Sequence, residues 1–170
     1  YVVGLGHIGR SVIVFGESSI TRFSADEPAQ GLSSILSSKG CTAPYSIVET
    51  SKGILFWDGE GVSVTDGTHV RSLTENRVDD LMVGANRDQE YNYRAIYDAD
   101  EETYTLFFAH GGEVTNDHSI LIRLSSGDVY PMKRKDVNAV WRERDSDGIW
   151  RTHHGTSARH TDSTNSYVWE

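Results

Sequence analysis

Apolar positions along this chain fall in short runs punctuated by Gly, Asp, Ser and Asn, which is the pattern of brief strands joined by tight turns. It is clearest over Gly40 to Thr74, where Ser46 to Glu49, Ile54 to Trp57 and Val62 to Val64 form three runs and Val70 belongs to a fourth. Turn signals separate them: Ser51-Lys52-Gly53, Asp58-Gly59 with Gly61, and Asp66-Gly67. Asp-Gly between alternating strands is a strong hairpin signal, because both central residues of a type I′ turn need φ > 0. The segment is expected to fold as a meander of four antiparallel strands, the size of one propeller blade.

The same grammar extends in both directions. Val12 to Phe15 turns through Gly16-Glu17-Ser18-Ser19 into Ile20 to Phe23, a second hairpin, followed over 24–39 by a small-residue loop carrying Leu32, Ile35 and Leu36. Val78, Leu81 and Met82 have helical spacing within Glu75 to Ala85 and suit one or two helical turns ended by Gly84. Tyr93 to Tyr97 alternates, whereas Tyr104-Thr105-Leu106-Phe107-Phe108 is more continuously apolar; Ser119 to Leu124 and Val129-Tyr130 follow, with Pro131 limiting what comes next. Ala139 to Trp141, Ile149-Trp150 and Tyr167 to Trp169 close the pattern.

Comparable apolar strands start at residues 12, 54 and 106, and repeats of roughly 40–50 residues with four strands each belong to propeller arrays. The expected fold is therefore all-β, built of antiparallel four-stranded meanders as a partial or split β-propeller, with an irregular β-sandwich as the alternative. Residues 1–170 would form a single β domain or a fragment of a larger propeller, with approximate blades at 11–39, 40–85, 91–131 and 137–170. A chain that starts at Tyr1 and ends in strand-like Tyr167-Val168-Trp169 reads as part of a longer polypeptide.

Composition narrows the function classes. The formal net charge is −9, and an acidic surface repels phosphate backbones, which argues against sequence-specific nucleic-acid reading. No apolar run reaches the ~20 residues of a membrane span. The single cysteine, Cys41, excludes an internal disulfide and reads as a small buried hydrophobe.

Candidate chemistry is sparse. Gly4-x-Gly6-x-x-Gly9 matches a dinucleotide fingerprint, but that motif needs a following helix to hold the pyrophosphate, and Ser11 to Gly16 is β-branched strand sequence. The glycines read instead as turns leading into a strand. His153, His154, His160 and Asp162 cluster without metal-ligand spacing, and His110 and His118 flank a Gly-rich loop. Asp98, Asp100, Glu101 and Glu102 form the densest acidic run, which lacks the pattern of a Ca²⁺ loop and reads as a solvated turn. Ser146-Asp147-Gly148-Ile149-Trp150 faintly resembles an Asp-box turn, itself structural. No catalytic, cofactor-binding or metal-binding set emerges, and the chain is not expected to be an enzyme. Trp57 and Trp150 are the aromatics with which a glycan would stack; Asp58, Gly59, Gly61, Asp66 and Gly67 read as structural turns.

From Gly40 to Thr74 the order Gly-Cys-Thr-Ala-Pro-Tyr-Ser-Ile-Val, a Gly-preceded apolar strand, Asp-Gly-Glu-Gly-Val, Thr-Asp-Gly and Ser-Leu-Thr is similar to the β-propeller structural proteins of tailed bacteriophages: tail-tube nozzle, head–tail connector and DNA-stabilisation proteins. The hairpin Val12 to Ile20 resembles a strand pair of that group, and Tyr104 to Ala109 with Ile120 to Leu124 and Gly127 to Tyr130 resembles a later blade, Tyr130 standing where Trp is usual. The resemblance covers roughly residues 11–130 and implies a virion component of the tail or neck. Its partners would be other tail or neck proteins in a homo-oligomeric ring, with no more than passive contact with passing DNA. The alternatives are a carbohydrate-binding or carbohydrate-cleaving propeller at a host surface and a protein-interaction module.

Overall fold

The structure is a computed structural model that describes residues 1–24, 33–133, 136–156 and 168–169. It is all-β, with four antiparallel sheets formed one after another along the chain. The first sheet contains β1 (Val2–Ile8), β2 (Ser11–Gly16), β3 (Ile20–Ser24) and β4 (Ser33–Ser37). The second contains β5 (Val48–Thr50), β6 (Gly53–Trp57), β7 (Val62–Thr65) and β8 (Val70–Ser72). The third contains β9 (Arg94–Asp98), β10 (Thr103–Phe108), β11 (His118–Arg123) and β12 (Val129–Lys133), and the fourth β13 (Ala139–Arg144), β14 (Trp150–Gly155) and β15 (Val168–Trp169). Within every sheet, strands neighbouring in sequence are neighbours in space, as short hairpin connections dictate.

The sheets stack face to face in chain order, and the apolar pattern of each strand records its place in the stack. In β6, Ile54 and Phe56 pack against Ile13, Phe15 and Ile20 of the first sheet, while Leu55 and Trp57 join the core shared with Tyr104, Leu106 and Phe108 of the third. A strand buried on both faces reads as a continuous apolar run, which is why Ile54 to Trp57 and Tyr104 to Phe108 lack alternation. The end sheet differs: β2 alternates, with Ser11, Ile13 and Phe15 buried and the residues between them open to varying degrees. The first strands also meet in succession, β1 against β5, β5 against β9, and β9 against β13.

Several local expectations change. The segment 1–10 is a strand and a turn: Gly4 and Gly6 lie inside β1, and only Gly9, at φ +59°, turns the chain. A Cβ on Gly4 would sit 2.4 Å from Ile47 Cδ1, and one on Gly6 2.6 Å from Ile54 Cδ1. The glycines thus let β1 approach the second sheet closely, and the spacing that suggests a dinucleotide loop is an i, i+2 strand face. β1 precedes residue 11, where the sequence pattern starts its first unit. Part of the expected loop 24–39 is the strand β4; Leu32 lies outside the described residues.

The Asp-Gly hairpins are not two-residue type I′ turns. Each is a four-residue loop in which only the glycine, Gly59 at φ +90° or Gly67 at φ +87°, takes positive φ. Asp58 Oδ1 accepts the N–H of Glu60 and of Gly61, each at 2.9 Å, and Asp66 Oδ1 accepts those of Thr68 and His69 at 2.8 Å. The aspartates stay in ordinary backbone geometry and act through side-chain hydrogen bonds that imitate a backbone turn. The helix within Glu75 to Ala85 is present as α1 (Asp79–Val83), with Gly84 as its C-cap.

Candidate functional site

The faces that the stack leaves open carry the candidate functional surface. The first sheet has one face against the second sheet. Its other face carries Leu5, Val12, Val14 and Phe23, brought together by the pairings Leu5 with Val14 and Val12 with Phe23. Leu5 is 63% exposed, and Val12 and Phe23 are 45% exposed each. A solvent-facing sheet surface ordinarily carries polar residues at such positions; contiguous exposed apolar groups mark contact surfaces.

The fourth sheet closes the other end. Its inner face meets the third through His154, whose ring lies edge-on to Phe107 at 5.1 Å, and through Arg142. Arg142 Nη2 lies 3.1 Å from Asp98 Oδ1 and 3.0 Å from Asp100 Oδ2. The acidic run at 98–102 is therefore not merely a solvated turn: two of its carboxylates fasten the fourth sheet to the third, while Asp98 Oδ1 also organises the turn through the N–H groups of Asp100 and Glu101.

The two tryptophans proposed for glycan stacking part company. Trp57 has no exposed surface. It stacks against Phe108, meets Tyr93 edge-on, and its Nε1 donates to Glu90 Oε1 at 2.8 Å. Trp57 is a core residue, unable to present a ring face to a ligand. Trp150 is half exposed, with the Arg142 guanidinium 5.5 Å from its ring centre. The turn before it is organised by Asp145, whose Oδ1 accepts from Asp147 and Ile149 N–H and whose Oδ2 accepts from Arg151 Nε. Those bonds hold the Asp145 carboxyl below the usual carboxylate range.

The histidines form no common site. His153 and His154 point to opposite sides of β14: His153 is buried and stacks on Trp141, while His154 meets Phe107. His160 and Asp162 lie outside the described residues. His110 and His118 do face each other, with ring centres 4.5 Å apart, but as a packed pair: His118 lies beside Phe108, and a Cβ on Gly84 would come within 2.2 Å of His110 Nε2. Among the described residues no group of three or more His, Cys, Asp or Glu could hold a metal ion. Cys41 is buried, and burial pushes its thiol up to about 11, away from nucleophilic chemistry at neutral pH.

One cleft escapes sequence reasoning. Tyr1, Tyr45 and Tyr91, with Pro44, Glu17 and Thr42, line an open space of about 450 Å³. Tyr45 and Tyr91 meet edge-to-face at 5.7 Å, and Arg94 covers Tyr45 at 4.1 Å from its ring centre. The Tyr45 hydroxyl raises the Tyr91 phenol above its ordinary value. The residues come from four separate stretches of chain, so no local pattern announces the cleft. Among known proteins, no family model and no curated sequence matches this chain.

Proposed function

We propose that the chain is a structural, assembly-forming module, a propeller-like sector whose open ends are completed by further sheets. The observation that carries this reading is the apolar outer face of the first sheet, Leu5, Val12, Val14 and Phe23, in a stack where each inner sheet is already covered on both faces. The succession of first-strand contacts, β1 to β5 to β9 to β13, supports a radial arrangement of sheets about an axis. With the resemblance to tailed-phage propeller proteins, the role is a component of a virion tail or neck, joined with other copies or other tail proteins into a ring around the DNA conduit. Its net charge of −9 suits a wall along which DNA slides without being held.

The test is concentration-dependent analytical ultracentrifugation of the full chain, with Leu5→Glu combined with Phe23→Glu. The wild type is expected to associate into defined particles, visible as rings by electron microscopy, and the double variant to dissociate while keeping its β-sheet circular dichroism. A strictly monomeric wild type at every concentration overturns the reading.

The tyrosine cleft favours a second reading, carbohydrate binding, because edge-to-face tyrosines beside a carboxylate offer an apolar platform and a polar anchor. Tyr91→Ala should then abolish retention on the glycan that the wild type selects from an array; a wild type that retains none ends it.

A further inference from the structure

The second and third sheets enclose a cationic groove that none of the preceding readings uses. In the second sheet, Val48, Leu55, Val64 and Arg71 are directly paired across four strands, so one face carries an apolar row ending in a guanidinium. The buried side chains of Leu55, Val64 and Ile122 lie beneath a groove of about 260 Å³ that the partly exposed Leu73 and Leu124 line together with Arg71, Lys52 and Arg77. Arg77 Nη1 donates to the Gly127 carbonyl, which fixes that guanidinium at the wall. The side chains of Lys52 and Arg71 make no hydrogen bond or ion pair with any described residue. Glu75, the one carboxylate in the lining, is in no ion pair with them.

We propose that this groove binds a phosphomonoester whose phosphate lies among Arg71, Lys52 and Arg77 and whose small apolar body rests on Leu73 and Leu124, the partly exposed leucines of the lining. Three cations against one carboxylate match a group carrying about −1.5 to −2 charges at neutral pH. Guanidinium forks engage phosphate oxygens bidentately, and the ammonium adds a point charge. A groove of about 260 Å³ has room for a phosphate and a ring-sized substituent. In a chain of net charge −9, three cations gathered in one groove without carboxylate partners stand against the prevailing field.

Phenyl phosphate, inorganic phosphate, diphenyl phosphate and benzoate are titrated into the full chain by NMR and calorimetry. Phenyl phosphate is expected to saturate, shifting the amides of Arg71, Arg77 and Gly127, and to bind roughly tenfold more tightly than inorganic phosphate. The singly charged diphenyl phosphate, a stand-in for a nucleic-acid backbone, and benzoate should bind at least roughly tenfold more weakly than phenyl phosphate. Arg71→Gln and Lys52→Gln, both at exposed positions, should each weaken phenyl phosphate about tenfold, whereas Arg10→Gln, in the β1–β2 turn, should leave it unchanged. Absence of saturable binding, equal losses in Arg10→Gln and Arg71→Gln, or tighter binding of diphenyl phosphate overturns the proposal.

Discussion

Replacing Trp57 by Phe separates a core role from a ligand-stacking one. The indole is fully buried, and its Nε1 donates to the Glu90 carboxylate at 2.8 Å. Hydrogen bonds to charged groups contribute about 1.5–3 kcal/mol when buried. Glu90 is only partly buried, and solvent screening brings the contribution below that range, to about 1 kcal/mol. The missing part of the ring leaves a void beside Tyr93 and Phe108 that adds ~1 kcal/mol or somewhat more. The sum is about 2–3 kcal/mol, and in a chain of this length each kcal/mol lowers Tm by about 2–4 °C, which gives a fall of roughly 4–12 °C. Trp57→Ala, which empties the site, should cost about 3–5 kcal/mol. Glu90→Gln keeps an acceptor in place and should cost less than ~1 kcal/mol. Trp150→Phe, at a half-exposed position with one cation–π contact, should also stay below ~1 kcal/mol. Urea and thermal unfolding followed by far-ultraviolet circular dichroism measure all four. Equal costs for Trp57→Phe and Trp150→Phe would refute the assignment of Trp57 to the core.

Three further outcomes are expected. Hydrogen bonds from Thr68 and His69 hold the Asp66 carboxyl well below its ordinary value; a depressed folded pKa means stability present above the unfolded value near ~3.9 and lost as pH falls toward the folded one. Thermal melts between pH 7 and pH 3 should therefore show Asp66→Asn losing less stability on acidification than the wild type; parallel curves would exclude the linkage. Gly84 has helical dihedrals that alanine accepts, yet its Cβ would strike His110. Gly84→Ala should accordingly lower stability by about 1–3 kcal/mol, and Gly84→Ala with His110→Ala should recover part of it in the same melts; an additive loss would contradict the packing account. Cys41, buried and with its thiol raised to about 11, should resist iodoacetamide in native buffer and react fully in denaturant, as mass spectrometry reads; rapid native labelling would show an open site.

The hairpins were legible because their causes are local. The strands expected between Ser46 and Val70 are β5 to β8, and the glycines of their loops supply the positive φ that a turn requires. The turn type was not legible, since Asp58 and Asp66 each have a choice between αL backbone and side-chain bonding, and the four-residue loop settles it for the latter. Gly4 and Gly6 show the same limit: their spacing fits a phosphate loop and a strand face equally, and only Ile47 and Ile54 packed above them distinguish the two. The tyrosine cleft and the Arg71 groove left no trace in the sequence because each is assembled from stretches far apart along the chain.

Sequence alone determined an all-β chain of short antiparallel strands, because strand alternation, β-branching and turn residues act within a few positions of one another. It also contained, in the contrast between continuous runs in β6 and β10 and alternation in β2, a record of which sheets are covered on both faces. Reading that record required the stack itself, since a run such as Ile54 to Trp57 does not say what lies on either side. Tertiary packing decided that Trp57 is core and Trp150 is surface, that Arg142 joins two sheets through Asp98 and Asp100, and that Leu5, Val12 and Phe23 share one open face. Burial is a property of neighbours distant in the chain, and those neighbours exist only once the sheets have stacked.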